Sequence, residues 1–312
     1  MSRKRGRNVD GILLLDKPPG ISSNHALQRV RRAFDAAKAG HTGNLDVAAS
    51  GLLPLCLGEA TKVCGFLLDA DKRYQALVAF GAETSTGDVE GEIIRRTDRV
   101  PASAAEIELA LTQLEGEQWQ VPPMYSALKR QGQPLYRLAR QGIEVERAPR
   151  RITIHALALL HHEGAQALID VRCSKGTYVR SLAVSLGELL GCGAHLAGLR
   201  RLEAGPYELT RAHPLSMFEA GAYSADALAE LLLPADSALI GLPALVLGPE
   251  QARRLTLGQR IRVAETTGVG VLVRLYDIPG RFLGVGECEA EHWVRPRRLT
   301  ASHAVTEMLE SR

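Results

Sequence analysis

The alternation of apolar and polar positions along the first two hundred residues predicts a mixture of strands and helices. Gly11 to Leu15 is a short apolar run that stops at Asp16-Lys-Pro-Pro-Gly20, which is typical of a buried strand followed by a turn. Ser22 and Ser23 can cap a helix after this turn, because the next apolar residues recur at spacings of three and four. These residues are Ala26, Leu27, Val30, Ala33 and Phe34.

Later segments follow the same two periods. Arg73 to Gly81 alternates as a strand, with Tyr74 on its apolar face. Further predicted elements are a helix from Ser103 to Leu114, a hairpin of strands from Ile152 to Leu160 and from Ala167 to Cys173, a helix from Thr177 to the glycines Gly191 and Gly193, and a strand from His195 to Leu202. In the helix that begins at Thr177, the residues predicted to face the core are Val179, Leu182, Leu186, Leu189 and Leu190. Helices and strands mix without a strict β-α-β repeat, so the predicted fold class is α+β, with a mixed, mostly antiparallel central sheet and flanking helices.

Segments that break this pattern set the domain organisation. Gly40 to Gly58 is rich in glycine and small residues and is predicted to be a structured loop. Residues 124–151 have turn residues at both ends and little apolar periodicity, which predicts a flap inserted into the main domain. Pro214 to Asp236 is predicted to be helical, and Leu242-Pro243 marks a boundary.

Beyond that boundary, short strands with glycine-rich turns predict a small β-barrel. Its strands are predicted at Arg260 to Val263, Val269 to Tyr276 and Phe282 to Glu287. The predicted domains are therefore a basic tail at 1–10, a main domain at 11–241 and a small domain with its tail at 242–312.

Charge is unevenly distributed along the chain. The total of 38 Lys and Arg against 35 Asp and Glu leaves a net charge of only +3. Four of the first seven residues are cationic, residues 125–151 hold seven cations against two carboxylates, and Arg295, Arg297 and Arg298 form a third group. Three separate basic patches fit a long polyanion such as nucleic acid. The alternative is a set of solvated surface charges.

Cysteine usage and missing motifs exclude several classes of protein. The five cysteines are scattered, odd in number and without a Cys-x-x-Cys pair, so we expect no disulfide framework, no structural zinc and a cytoplasmic location. We also expect no secretory signal and no membrane helix, since no apolar run approaches the roughly 18 residues that a span needs. Nucleotide-binding glycine motifs are absent, and His161-His162 is predicted to be a surface pair rather than a metal site. The chemistry is expected to need neither cofactor nor metal.

Candidate catalytic residues concentrate in the loop that runs from Gly40 through Asp46 to Pro54. A lone Asp in a loop commonly forms an Asx-turn or caps a helix. Asp46 lies between glycine-flanked turns, so its carboxylate can instead face a cleft, where burial requires a nearby cation. Arg180 is a candidate for that cation, and Tyr74 and Tyr178 offer flat apolar faces. An ionised Asp, an Arg and aromatic faces together form a site for a nucleobase on its sugar.

Five collinear blocks of the sequence closely resemble the TruB-type tRNA pseudouridine synthases. The block that resembles the family's catalytic motif is Gly40-His-Thr-Gly-Asn-Leu-Asp46, continued by Gly51-Leu-Leu-Pro-Leu-Cys-Leu-Gly-Glu-Ala-Thr-Lys62. The others are Gly11-Ile-Leu-Leu-Leu-Asp-Lys-Pro-Pro-Gly20, Asp71-Lys-Arg-Tyr74, Pro123-Met-Tyr-Ser-Ala-Leu-Lys129 and Cys173-Ser-Lys-Gly-Thr-Tyr-Val-Arg180. Gly191-Cys-Gly-Ala-His195 and Leu199-Arg-Arg-Leu202 extend the resemblance towards the small domain.

The resemblance implies conversion of uridine 55 in the T-loop of tRNA to pseudouridine. Asp46 matches the family's catalytic aspartate, which either attacks C1′ of the ribose or removes a proton to form a glycal. Tyr74 matches the tyrosine that stacks on the flipped base and helps with the proton at C5. Arg180 matches the arginine that is paired with the aspartate.

Residues for RNA binding are implied in the same way. His41 matches the histidine that enters the T-loop as the target base leaves, and Tyr178 lies beside Arg180 in the pocket. Lys17, Pro18 and Leu199 match further pocket positions, with ordinary turn and core roles as the alternative. The flap, which carries Lys129 and Arg130, would close on RNA phosphates. The C-terminal barrel would be a PUA-like domain that touches the tRNA end.

The chain departs from the family motif directly after Asp46. Family members commonly carry Pro and Leu there and Thr before the next Gly, whereas this chain has Val47, Ala48 and Ser50. Loss of the proline removes a constraint on φ in the loop. Activity is still expected, since the Asp, Tyr and Arg are retained.

Two other functions remain open at the level of sequence. A related synthase could modify another RNA with guide-RNA and protein partners, but the chain length, flap and small C-terminal domain favour a stand-alone enzyme on tRNA. A tRNA-binding folding chaperone with secondary or no catalysis is the alternative from another class. We expect a monomer with no obligate protein partner.

Overall fold

The computed structural model of the chain describes residues 6–126, 128–219 and 223–300. Residues 1–5, 127, 220–222 and 301–312 lie outside the described residues. They include half of the predicted basic tail, one residue of the flap and part of the segment predicted to be helical. No helix within the described ranges has the length and apolar character needed to cross a membrane.

Apolar runs and alternating segments form the strands of the main domain, and several very short strands join them. In chain order, these strands are β1 (Gly11–Lys17), β2 (Ala39–His41), β3 (Ser50–Leu57), β4 (Lys72–Phe80), β5 (Ala82–Thr84), β6 (Ile93–Arg96), β7 (Gly116–Gln120), β8 (Lys129–Arg130), β9 (Gln133–Pro134), β10 (Arg150–Glu163), β11 (Gln166–Cys173), β12 (Ala194–Ala204), β13 (Tyr207–Glu208) and β14 (His213–Pro214). The small C-terminal unit contains β15 (Ala244–Leu247), β16 (Ile261–Arg262), β17 (Leu272–Asp277), β18 (Phe282–Cys288) and β19 (Trp293–Leu299).

The helices are α1 (Ser23–Ala33), α2 (Cys64–Asp69), α3 (Ala104–Gln113), α4 (Leu135–Arg140), α5 (Val179–Leu189), α6 (Ala225–Ala229) and α7 (Pro249–Thr256). Ser22 caps α1, because its hydroxyl accepts a hydrogen bond from the His25 amide at 3.1 Å. Ser103 caps α3 in the same way. Short 3₁₀ segments lie at Gly58–Lys62, Leu209–Arg211, Leu215–Phe218, Ala235–Leu239 and Ala290–His292.

A large mixed sheet forms the centre of the molecule. Its main strand order is β14-β1-β3-β12-β4-β11-β10-β7, with β2 beside β3 and β13 beside β12. The pairs β1–β14 and β3–β12 are parallel, and the other pairs in this sheet are antiparallel. The predicted α+β class with a mostly antiparallel central sheet is confirmed.

One face of this sheet packs against α1, α3 and α5 through the main hydrophobic core. The predicted inward residues Tyr74 of β4 and Val30 of α1 are both buried there. Gly191 and Gly193 follow α5 with φ of 65°, which explains why the helix ends at these glycines. Leu189 was predicted on the core side of α5, and this is wrong: it is 47% exposed, since Leu186 and Leu190 occupy the buried stripe.

Gly40 to Gly58 is not one loop. It contains β2 and the buried strand β3, and only residues 42–49 connect them without regular structure. The apolar run from Leu52 to Leu57 outweighs the turn signal of Pro54. One edge of β3 pairs with β1 from Gly51 to Leu57. The other edge pairs with β12 at Ser50 and Gly51 and with β2 from Leu55 onward, so Pro54 lies between these two partners, where its missing amide proton is tolerated.

The segment from Pro214 to Asp236 was predicted to be helical, and the described part contains only α6 and short 3₁₀ turns. Leu215 and Phe218 are buried there against the main core, and Phe218 stacks on Phe34, the residue directly after α1. An Ala- and Leu-rich composition favours helix, but these two large side chains dock the segment onto α1 in short turns instead.

The C-terminal unit is a curled, five-stranded sheet in the order β15-β17-β18-β19-β16. The predicted strands are present, and the sequence prediction missed β15, α7 and β19. Val285 of β18 joins a hydrophobic cluster with Ile12 of β1, and the Lys62 ammonium donates to the Leu299 carbonyl at 2.8 Å. The small unit is therefore packed against the back of the main sheet.

Candidate active site

The loop between β2 and β3 is held at several points, and this presents Asp46 at its centre. The Thr42 hydroxyl and amide both donate to the Pro54 carbonyl at 3.1 Å. The buried Ser23 hydroxyl accepts from the Leu45 amide at 2.8 Å and donates to the Leu45 carbonyl at 3.0 Å. Because Leu45 is fixed on one side of Asp46, the carboxylate is directed outward and its side chain stays 37% exposed.

Arg180 of α5 pairs with the Asp46 carboxylate. Its Nε lies 3.0 Å from Asp46 Oδ2, and one terminal nitrogen lies 3.4 Å from Asp88 Oδ2. The same guanidinium donates to the carbonyls of Thr86 at 3.2 Å and Tyr125 at 2.7 Å. The Arg180 side chain is only 6% exposed, so four acceptors fix it rigidly against Asp46.

The environment of Asp46 shifts its pKa in opposing directions. Burial raises the pKa of the Asp46 carboxyl above its ordinary value, and the Arg180 charge opposes this rise. Asp88 raises the same pKa further through like-charge repulsion, whereas Lys17 lowers it. The net direction is upward, so Asp46 is more basic than a solvated aspartate and better suited to accept a proton or to attack a carbon.

A cavity of about 250 Å³ opens in front of this ion pair. Its walls include Asp46, Tyr74, Tyr178, Arg180 and Leu199. Tyr74 is buried on β4, and burial raises its pKa. The pocket thus places a carboxylate beside two aromatic side chains and one leucine.

Gln120 of β7 fixes Tyr178 at the edge of this pocket. The Gln120 amide nitrogen donates to the Tyr178 carbonyl at 3.1 Å, and the Tyr178 amide donates to the Gln120 side-chain oxygen at 2.8 Å. Tyr178 is also the residue before the first turn of α5, so the same clamp holds the start of the helix that carries Arg180. Burial raises the pKa of the Tyr178 phenol, which stays neutral near pH 7.

Three further buried cations lie beneath or beside the cavity. Lys17 donates to the carbonyls of Pro18 and Ile21, and burial lowers its pKa to about 8. Lys72 has a pKa lowered to about 8 for the same reason. Together with Arg201 and Arg180, these residues outnumber the carboxylates Asp46 and Asp88, so the pocket is electropositive. The described residues include no cluster of three or more His, Cys, Asp or Glu side chains placed to hold a metal ion.

Several predicted site residues lie outside this cavity. Pro18 lines a neighbouring cleft of about 420 Å³, and Lys17 is buried behind the cavity rather than in its lining. His41 ends β2 beside the loop, with its Nδ1 buried and unpartnered among the described residues and its pKa lowered by burial. Lys129 and Arg130 are exposed on β8, away from the cavity lining.

Asp88 and Arg201 line or support the site and were missed in the sequence. Asp88 lies in an irregular segment after β5, and nothing in its sequence surroundings distinguishes it. Arg201 had a usable signal: consecutive arginines in a strand must face opposite sides, so one of Arg200 and Arg201 had to share the side of Leu199.

The third basic group predicted from the sequence is largely neutralised. Arg295 pairs with Glu289 at 3.2 Å, and Arg297 pairs with Glu287. Arg298 forms no ion pair within the described part of the chain. Basic character at this end of the molecule is therefore weaker than the sequence pattern indicated.

Three family models match consecutive regions of the chain. Residues 31–179 match the family model for the N-terminal domain of the TruB family pseudouridylate synthases, and residues 180–240 and 243–300 match models of TruB C-terminal domains. The tRNA pseudouridine synthase B of Ectopseudomonas mendocina is 51% identical over 94% of this chain and 96% of its own length, and that of Aromatoleum aromaticum is 52% identical over 98% and 97%. The chain belongs to the TruB family of pseudouridylate synthases. Enzymes of this family are isomerases.

Two solved structures share the fold of this chain. A chain in the crystal structure of a Cbf5-Nop10-Gar1 complex superposes with a TM-score of 0.72 and 25% identity, over 94% of this chain and 86% of that chain. A chain in an H/ACA RNP bound to a substrate RNA that contains 2′-deoxyuridine has a TM-score of 0.71 at 22% identity, over 97% of this chain and 92% of that chain. The second likeness shows the shared fold alone.

Two of the residues that depart from the TruB motif, Val47 and Ser50, form hydrogen bonds that hold the loop. The Val47 carbonyl accepts from the Gly20 amide at 2.8 Å, which ties the Asp46 loop to the turn after β1. The Ser50 hydroxyl donates to the Leu199 carbonyl at 3.5 Å and accepts from Arg200 at 3.3 Å. The loop is therefore held on both sides of Asp46 without the family's usual proline.

Proposed function

We propose that this protein isomerises uridine 55 in the T-loop of tRNA to pseudouridine. The relatives at about half identity are named tRNA pseudouridine synthase B, which supports tRNA as the substrate. The observation that carries the proposal is the Asp46–Arg180 pair at 3.0 Å, at the wall of a cavity that two tyrosines share. Such a site suits a nucleobase that has left its stack, with a carboxylate held at the sugar.

Binding would begin with extrusion of the target base. Unstacking a loop base costs a few kcal/mol, which contacts with the enzyme must offset. In our proposal, Tyr74 stacks on the flipped uracil, and Tyr178 and Leu199 close the pocket around it. His41 fills the space that the base leaves, because burial keeps its imidazole uncharged and suited to stacking.

The chemistry would exchange one bond of uracil for another. The N1–C1′ bond breaks, and uracil keeps the electron pair, while Asp46 either attacks C1′ or removes a ribose proton to give a glycal. Both routes require ionised Asp46, which Arg180 favours. Lys17 and Lys72 beside the pocket would stabilise the negative charge that develops on uracil. C5 then bonds to C1′ as the Asp46–C1′ bond breaks or, on the glycal route, as Asp46 returns the ribose proton. Tyr74 takes the C5 proton, and N1 gains a proton from solvent.

The flap and the small domain would bind the rest of the tRNA. Lys129 and Arg130 are exposed and free of carboxylate partners among the described residues, so they can contact phosphates. We propose a main domain at 11–241 with the flap at 124–151, a basic tail at 1–10 and a PUA-like unit at 242–312. The proposal also includes a cytoplasmic monomer that needs no cofactor and no obligate protein partner.

Isomerisation of an unmodified tRNA transcript tests this function. Purified protein and a transcript labelled with tritium at C5 of uridine are expected to release one tritium per tRNA, mapped to position 55, because C5 loses its proton only when it bonds to C1′. Asp46→Asn should abolish this release. Release from another position would contradict the proposed target.

A tRNA-folding chaperone is the other candidate, favoured by the electropositive pocket and the exposed flap cations. It predicts that the wild-type protein speeds tRNA folding without tritium release. A guide-dependent enzyme predicts release only after a guide RNA and protein partners are added. Both outcomes differ from release by the chain alone.

A further inference from the structure

Arg201 is a buried cation without a buried anion. Its side chain is 1% exposed, on the strand β12 that forms part of the pocket wall. Its Nε donates to the Leu52 carbonyl at 2.6 Å, and a terminal nitrogen donates to the Gly43 carbonyl at 3.4 Å. Within the described ranges, no carboxylate pairs with it. Burial of an uncompensated charge is strongly destabilising, so Arg201 lowers the stability of the fold unless another group stabilises its charge.

The register of the sheet places this cation against Tyr74. Arg201 of β12 lies directly opposite Tyr74 of β4, and both side chains line the same cavity. Side chains directly opposite on antiparallel strands have Cβ atoms about 5 Å apart, within reach of a guanidinium and a phenol. The guanidinium has donors left after its two carbonyl contacts, and the phenol oxygen can accept one.

The two side chains are also electrostatically coupled. Burial raises the pKa of Tyr74, and the positive charge of Arg201 is the strongest influence that opposes this rise. The side-chain hydrogen bond between them acts in the same direction. Cys173 and Asp46, which also face the phenol, raise its pKa.

We propose that Arg201 is a positioning residue that holds the Tyr74 phenol oxygen and stabilises its phenolate for removal of the C5 proton. The inference rests on the proposed isomerisation. Tyr74 first gives its own proton to solvent. Once C5 has bonded to C1′, the phenolate oxygen takes the C5 proton, the C–H electron pair forms the C5=C6 bond, and the C6=N1 pair moves to N1, which takes a proton from solvent. Arg201 touches no substrate atom and acts only through Tyr74.

A double-mutant cycle separates this role from a structural one. Arg201→Met is expected to slow single-turnover tritium release at saturating RNA roughly tenfold to a hundredfold, as expected for one hydrogen bond to a charged group. Tyr74→Phe removes the phenol, so adding Arg201→Met to Tyr74→Phe should cause no further loss. RNA affinity, measured by filter binding, should stay unchanged. Independent losses that multiply in the double variant would overturn the proposal.

A second substrate isolates the proton step. Fluorine at C5 cannot leave as a proton, so consumption of 5-fluorouridine at the target position reports only the steps up to formation of the C5–C1′ bond. Arg201→Met should leave this consumption within about twofold of the wild type, because hydrogen bonding to the phenol is not needed for those steps. Equal slowing on uridine and 5-fluorouridine would overturn the proposal.

Arg201→Lys guards against a variant that does not fold. Lys keeps the charge but lacks the fork that reaches two carbonyls and the phenol together, so its rate should fall between those of the wild type and Arg201→Met. If Arg201→Met is unfolded, the same cycle with Arg201→Lys decides the question. Failure of the isomerisation itself is distinguishable, since then the wild-type protein releases no tritium.

Discussion

Arg180 is shared by two carboxylates that come from different parts of the chain. Asp46 belongs to the loop before β3, and Asp88 follows β5. Asp88 competes for the cation and repels the Asp46 charge, and both effects raise the pKa of Asp46. The second carboxylate therefore tunes how readily the first one takes up a proton, while it also anchors the arginine.

The acid limb of the rate profile reports this tuning. Because the pKa of Asp46 is raised, the wild-type rate should fall on the acid side at a higher pH than for an ordinary aspartate. Asp88→Asn removes one cause of that rise, so we expect the limb to move to lower pH. The maximal rate should drop, since Arg180 loses an anchor. Single-turnover rates between pH 4.5 and 8 measure both effects, and the position of the acid limb is compared with the ordinary pKa of an aspartate.

Asp98→Asn is the matched control, because Asp98 is exposed and lies outside the pocket lining. It removes the same charge and should leave the limb in place. A limb that stays in place in Asp88→Asn, or moves to higher pH, would show that Asp88 does not act on Asp46.

Asp46→Asn should abolish isomerisation and keep tRNA binding, because the amide is nearly isosteric and the flap cations are untouched. It should also raise the melting temperature at pH 7. The folded protein binds a proton on Asp46 more tightly than the unfolded chain does, so the ionised carboxylate opposes folding at any pH above its raised pKa. The gain should shrink as the pH falls towards the ordinary aspartate value. A variant less stable than the wild type at pH 7 would refute this reasoning.

At the scale of residues, the sequence predicted the side chains that line the cavity better than those that support it. Asp46, Tyr74, Tyr178, Arg180 and Leu199 do share one cavity. Asp88 was invisible because an acidic residue in a polar segment is the commonest of surface patterns. Pairing across a sheet depends on register between distant strands, and no local pattern specifies which partner faces Tyr74.

At the scale of elements, β3 depends on a glycine at its start. Gly51 has φ of 101°, and a Cβ there would lie 2.3 Å from the carbonyl oxygen of Arg201. Because Gly51 has no side chain, the backbone of Arg201 can approach it closely, and β12 pairs with β3 in parallel at this point. This places Arg201 below the loop that carries Asp46. The absence of a side chain at Gly51 thus lets β3 approach β12, the strand that contributes Leu199 and Arg201 to the pocket lining.

Gly51→Ala should lower the free energy of unfolding by more than about 2 kcal/mol, because left-handed strain and a clash with backbone add together. Gly116→Ala is the control: Gly116 has a similar φ of 91°, and nothing lies within 4 Å of its added Cβ. Urea unfolding of both variants gives the difference. Equal losses would mean that the approach of β12 carries no cost of its own.

The elements that were predicted well have long, regular periods. β1, β4, α1, α3 and α5 all begin or end within a few residues of their predicted bounds. Failures concern elements decided by distant contacts. The glycines and Pro54 of β3 are local turn signals, so the sequence predicts a loop there. β15 and β19 have no clear alternating pattern of their own, and they are strands because they pair with β17 and β18.

At the scale of the whole molecule, the exposed flap cations Lys129 and Arg130 lie outside the pocket lining and should act on affinity. Lys129→Gln with Arg130→Gln is expected to weaken tRNA binding and to reduce the slope of log affinity against log salt by roughly 1.4 to 1.8, the value for two phosphate contacts. The rate at saturating RNA should change little. Filter binding at several salt concentrations measures the slope.

Arg32→Gln with Arg211→Gln provides the control, since both residues are exposed, lie outside the flap and remove the same total charge. An equal change in slope would assign the effect to the overall field of the protein rather than to the flap.

The insertion of β12 between β3 and β4 has a consequence for synthesis on the ribosome. A nascent chain that ends at residue 190 already contains Asp46, Tyr74 and Arg180. Its strands β3 and β4 are not yet connected in the sheet, because β12 lies between them and pairs with both. The first family-matched region, residues 31–179, ends before that strand. The central sheet is therefore completed, and the pocket gains Leu199 and Arg201, only when residues 194–204 have emerged.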